Sequence, residues 1–172
     1  MTDNVLVAVL VFVAALLQVT LVASVDIAGG TADLLLLTLL PIAFLRGSIS
    51  GAVAGFFGGL LVDVLTLDTL GVTALLYALA GYWAGRYGET TGRDRMHAPV
   101  LALLVATIGI AFGGYGLHFL LGEVVSARLA LYDTLVPSLA LNLALGIPVY
   151  ALCSSALSRS RPDRVAEVQL LG

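Results

Sequence analysis

Long apolar runs separated by short polar joints constrain this chain more than any other feature. They cover about residues 5–25, 34–45, 48–65, 70–87, 98–121 and 135–157. A membrane-crossing helix needs about 20 predominantly apolar residues, and several of these runs qualify. The second is short and needs part of the preceding DIAGGTAD (26–33) to span. Both faces of each run are apolar, which argues against a β-barrel, whose strands alternate apolar and polar. Composition agrees: 11% of residues are charged, where a soluble domain carries about a quarter. The expectation is an all-α polytopic membrane protein with six transmembrane helices. They form one domain, 1–158, followed by a short polar tail, 159–172. The N-terminus lacks a basic region and a small-residue cleavage site, so the first run reads as a retained helix.

Charge placement sets an orientation. There is no Lys, and all eight basic residues are Arg. With six spans, Arg46, Arg86, Arg93, Arg95, Arg159, Arg161 and Arg164 share the side of both termini, and Arg128 lies opposite. Cytoplasmic loops are enriched in Arg and Lys, so both termini are expected in the cytoplasm. Asp26, Asp33, Asp63, Asp68, Asp133 and Glu123 then fall on the outer side. Tyr82, Trp83 and Tyr87 fall near the inner end of the fourth run, where amphipathic rings favour the headgroups.

The third run carries glycine at 47, 51, 55 and 59, and its next fourth step lands on Asp63. Residues four apart share a helix face, so the glycines form a groove without side chains. Small faces let helices approach closely in lipid, where burying oil against oil gains little. The fourth run carries a matching stripe, Ala74, Ala78, Gly81 and Gly85. The joint TLDT is so short that the two helices are antiparallel neighbours, with Asp68 or Thr69 placed to cap the second. The favoured expectation is that the two stripes pack together in one subunit. The alternatives are a partner's helix or a lipid tail in the groove.

Asp63 lies ~24 Å along the helix from Gly47, near the outer boundary. It reads first as a structural carboxylate accepting bonds from loop amides or hydroxyls. Second, it reads as part of an outer pocket with Asp33, Asp68 and His118. Gln18 and Asn142, amides inside apolar runs, read as interhelical bonds, and Pro148 as a kink.

Signatures of chemistry are missing. A phosphate-binding Walker loop needs a Lys. HExxH is absent, and His97 and His118 fall on opposite sides. The single cysteine, Cys153, excludes an internal disulfide and a cysteine-based metal site. GSISG (47–51) does not have the spacing of a serine nucleophile elbow. Neither an enzyme nor a cofactor is expected.

LLQVTL (16–21), TADLLLLTLLPIAFLRG (31–47), GAVAGFFGGLLVDVL (51–65) and LGVTALLYALAGYWAGRYG (70–88) together resemble MreD, the rod shape-determining membrane protein family. That family shows Leu-Gln late in its first helix, here Leu17-Gln18, and an acidic residue opening a Leu run, here Asp33. It shows Arg-Gly before the third helix, here Arg46-Gly47, and a G-F-x-x-G-L-x-x-D pattern, here in GFFGGLLVD (55–63). Leu-Gly and Gly-Tyr of its fourth helix fall on Leu70-Gly71 and Gly81-Tyr82. A proline that often precedes the acidic residue is Ala32 here, and helices five and six match mainly by length, Asn142 and Pro148. The resemblance implies a non-enzymatic scaffold in the bacterial cytoplasmic membrane. Such a scaffold binds MreC and helps couple cytoplasmic MreB filaments to peptidoglycan synthesis. It also implies a fold similar to the substrate-binding subunits of energy-coupling-factor vitamin transporters. Such a vitamin-binding subunit is the second functional expectation. It is opposed by Ala8, Ala14 and Ala15, which lack an Ala-x-x-x-Ala docking spacing, and by short outer loops poor in ligand-binding groups.

Overall fold

The computed structural model describes residues 2–20, 30–91, 98–122 and 135–158. It contains six α-helices: α1 (Thr2–Thr20), α2 (Leu34–Arg46), α3 (Ser48–Thr66), α4 (Val72–Thr91), α5 (Ala98–Leu120) and α6 (Leu135–Ser158). Three of them, α3, α5 and α6, are long and apolar enough to cross a membrane. The expected end of the first helix at 25, Asp26, Arg93, Arg95, His97, Glu123, Arg128, Asp133 and the tail with Arg159, Arg161 and Arg164 lie outside the described residues.

The shortest helix is the centre of the bundle. In α2 the residues Leu35, Leu36, Leu37, Leu39, Leu40, Ile42, Ala43 and Phe44 are all buried. Each of the other five helices packs against it. The outer helices face the other way. Phe57 on α3, Val105 on α5 and Leu152 on α6 are 63%, 63% and 69% exposed. Apolar surface this extensive is not left to water, and in a chain this poor in charge it is the surface that meets lipid.

Two junctions depart from the expected boundaries. Helix α4 continues through GET to Thr91, where a loop was expected from residue 88. The extra turn is held by Glu89, whose carboxylate accepts the Ser48 amide at 2.8 Å, and by Thr90, whose hydroxyl donates to the Arg86 carbonyl at 3.0 Å. Gly47 joins α2 to α3 with φ +94°, a backbone that favours glycine. The α3–α4 joint turns at Leu67, also left-handed with φ 57°, and at Gly71.

Candidate functional site

The glycine rail is occupied by the chain itself. A Cβ added to Gly51 would stand 2.5 Å from the Gly81 carbonyl oxygen, and one on Gly59 would stand 2.7 Å from the Ala74 Cα. At Gly55 it would collide with the Tyr77 carbonyl, with the Ala78 nitrogen 3.0 Å away. At Gly85 it would reach the Ser48 Cα at 2.5 Å. Backbone therefore lies on backbone along the whole α3–α4 seam, and no other helix has room in it. Gly47 lies at the end of this contact, with its carbonyl carbon 2.8 Å from a Cβ added to Gly85. A Cβ added to Gly47 itself would meet the Glu89 side chain at 2.7 Å, and its positive φ also serves the α2–α3 junction.

Asp63 is fully buried, 0% exposed. Its carboxylate accepts the amides of Gly71 at 2.8 Å, Thr73 at 3.3 Å and Ala74 at 3.3 Å. The first turn of any helix leaves backbone N–H groups without intrahelical acceptors. A carboxylate beside them also meets the positive end of the helix dipole. Asp63 thus caps α4 from the preceding helix, and the cap is not Asp68 or Thr69. Asp68 is exposed and accepts its neighbour's amide, that of Thr69, at 2.7 Å.

A second polar cluster surrounds the N-terminus of α2. At 13 residues this helix is ~20 Å long, shorter than the ~30 Å hydrocarbon layer. Its free amides therefore need partners from protein, because lipid has none. Four other helices reach it. Gln18 of α1 accepts the Leu34 amide at 2.7 Å. Asn142 of α6 accepts the Asp33 amide at 2.7 Å and donates to Thr107 of α5 at 3.4 Å. Ser138, also of α6, accepts the Thr31 amide at 3.1 Å. Asp33 itself caps the Leu36 amide at 2.9 Å, and its second oxygen accepts the Tyr77 hydroxyl of α4.

Asp33 and Asp63 follow one another along one face of α4, since Ala74 and Tyr77 are three residues apart. Each caps a different helix, and they share no partner among the described hydrogen bonds. Asp68 stands apart on the surface, and His118 is half-buried in the last turn of α5. Among the described residues no three His, Cys, Asp or Glu side chains gather closely enough to hold a metal ion. Tyr77, Thr107 and Ser138 were not singled out from the sequence. The signal for Tyr77 was its phenol inside an apolar run, a group that takes a partner when buried. For Thr107 and Ser138 there was none, because hydroxyls can bond their own helix.

A different small-residue face remains open. Between α4 and α5 runs a groove of about 510 Å³. Ala102, Ala106, Gly109 and Gly113 of α5 line one side, and Leu76, Leu79, Trp83 and Tyr87 of α4 the other. A Cβ on Gly109 would meet nothing within 4 Å.

A family model described as rod shape-determining protein MreD matches residues 2–156. The chain belongs to the MreD family. The match includes all six helices but for the last residues of α6, and with them every capping contact described above. Membership gives the chain a role in rod shape determination. The family is one of shape-determining proteins and is not a known enzyme family. With three helices able to cross a membrane, it is a membrane protein. No curated protein and no solved structure matches the chain. Neither the likeness of fold to energy-coupling-factor subunits nor the vitamin-binding alternative gains support.

Proposed function

We propose that this MreD-family protein is a non-enzymatic scaffold of the cell-elongation machinery that binds the membrane helix of MreC. Through that contact it helps couple MreB filaments to peptidoglycan synthases. All six helices cross the bacterial cytoplasmic membrane, with both termini in the cytoplasm. Residues 1–158 form the transmembrane domain, and 159–172 a cytoplasmic tail. The observation that carries this proposal is the family match across nearly the whole chain. The geometry is compatible with it: Asp33 and Asp63 lie toward one end of the bundle, and Arg46, Arg86 and Glu89 toward the other. The buried polar groups are engaged in holding helix ends together, which suits a scaffold.

The rail Gly51, Gly55 and Gly59 and its partners Ala74, Ala78, Gly81 and Gly85 serve packing within the subunit in this proposal. The docking face for MreC is the α4–α5 groove, whose α5 side offers close backbone approach. Co-purification of MreC from membranes tests it. Gly109→Leu fills open space and is expected to reduce MreC recovery about tenfold, about 1.4 kcal/mol, while thermal unfolding stays as in the wild type. Full recovery with Gly109→Leu excludes the groove. Failure of the wild type to retain MreC excludes direct binding.

A further inference from the structure

The α1–α3 face carries a second groove, of about 530 Å³. Its lining differs from one end to the other. Asn4, Arg46 and Ser50 stand at one end, and Val53, Phe57 and Leu61 continue the groove away from them. From Ser50 to Leu61 the helix rises ~16 Å at 1.5 Å per residue. That is about the depth of one leaflet, half of a ~30 Å hydrocarbon layer. A guanidinium binds phosphate oxygens in a two-pronged geometry. A hydroxyl and an amide beside it add donors. The α4–α5 groove has no charged residue in its lining, so it offers nothing comparable to a headgroup.

We propose that the α1–α3 groove holds one phospholipid with an anionic headgroup, drawn from the leaflet at the Arg46 end. The phosphate sits at Arg46, Ser50 and Asn4, and an acyl chain lies along Val53, Phe57 and Leu61. An end lined by Arg46, Ser50 and Asn4, followed by about one leaflet of apolar lining, matches a single lipid. A spanning partner helix would extend past Leu61 and would place apolar residues on Arg46. The inference rests on the chain's residence in a membrane and not on any contact with MreC.

Native mass spectrometry of the full chain in mild detergent, with phosphatidylglycerol or phosphatidylcholine added, tests it. The wild type is expected to retain one phosphatidylglycerol and about fivefold less phosphatidylcholine. Arg46→Gln lowers phosphatidylglycerol retention about fivefold, Arg46→Lys restores part of it, and Arg86→Gln leaves it unchanged. Val53→Trp, at a half-exposed position in the tail half, lowers retention of both lipids. Equal retention of the two lipids by the wild type overturns the proposal, because it describes an ordinary lipid annulus. Equal loss with Arg86→Gln overturns it too, since the attraction would then be diffuse. Should Arg46→Gln not fold, Val53→Trp with wild-type melting and undiminished retention overturns it independently. None of these outcomes depends on whether MreC co-purifies.

Discussion

The α3–α4 seam and the α4–α5 groove are both built with small residues, and only one of them is closed. In the seam, small residues on one helix meet backbone on the other: Gly51 lies on Gly81, Gly59 on Ala74 and Gly85 on Ser48. In the groove, the α4 wall carries Leu76, Leu79, Trp83 and Tyr87 beside the small Ala80 and Ala84. No α4 backbone comes within 4 Å of a Cβ added at Gly109, Gly113 or Gly114 of α5. Leu76 closes one end against Gly113, and the space at Gly109 stays open. A small-residue stripe makes a tight contact where small positions of both helices meet directly, as in the seam. Where large side chains such as Leu76 and Trp83 stand among the small ones, the same kind of stripe leaves a groove.

The sharpest way to break this contrast is to place the same side chain in both. Gly55→Leu forces a side chain into the Tyr77 backbone, where neither partner can yield. The expected loss exceeds the usual 1–3 kcal/mol of overpacking, and thermal unfolding in detergent would show little folded protein. Removing the clamp at the Asp63 end of the seam comes next. Asp63→Ala strands three amides and is expected to cost about 2–4 kcal/mol, while Asp63→Asn, which keeps an acceptor, costs about half. Their melting temperatures, side by side, separate loss of acceptor from loss of charge. Tyr77→Phe removes the hydroxyl that ties α4 to the cap of α2, and an intermediate loss of about 1–2 kcal/mol is expected. Gln18→Leu removes one bond to the α2 terminus and should cost about 1 kcal/mol. Gly109→Leu is the smallest, within about 0.5 kcal/mol of the wild type. A Gly109→Leu protein that melts as low as Gly55→Leu would show that the groove is not open, and the contrast would fail.

Much of this was legible beforehand. The six helices begin and end within a few residues of their apolar runs wherever both ends are described. The main departure is α4, whose last turn is held by Glu89, a residue that reads as loop because its partner, Ser48, is 41 positions away. Gln18 and Asn142 were recognisable as amides in need of interhelical partners. That both converge on the first turn of α2 was not, since nothing in their own runs names the helix they serve. Asp63, Asp68 and Thr69 were all chemically able to cap α4. Proximity in sequence favoured the latter two, and the αL turn at Leu67 gave the task to Asp63.

The sequence by itself determined the helices, their order and the small faces of α3 and α4. Those follow from periodicity and from the cost of polar groups in hydrocarbon, which act locally along the chain. Only the tertiary structure decided which face meets which. A glycine stripe admits any helix with small residues of its own, so its spacing defines a surface without naming an occupant. The occupant is α4, because its small residues fall in register with the rail and its free amides lie within reach of Asp63.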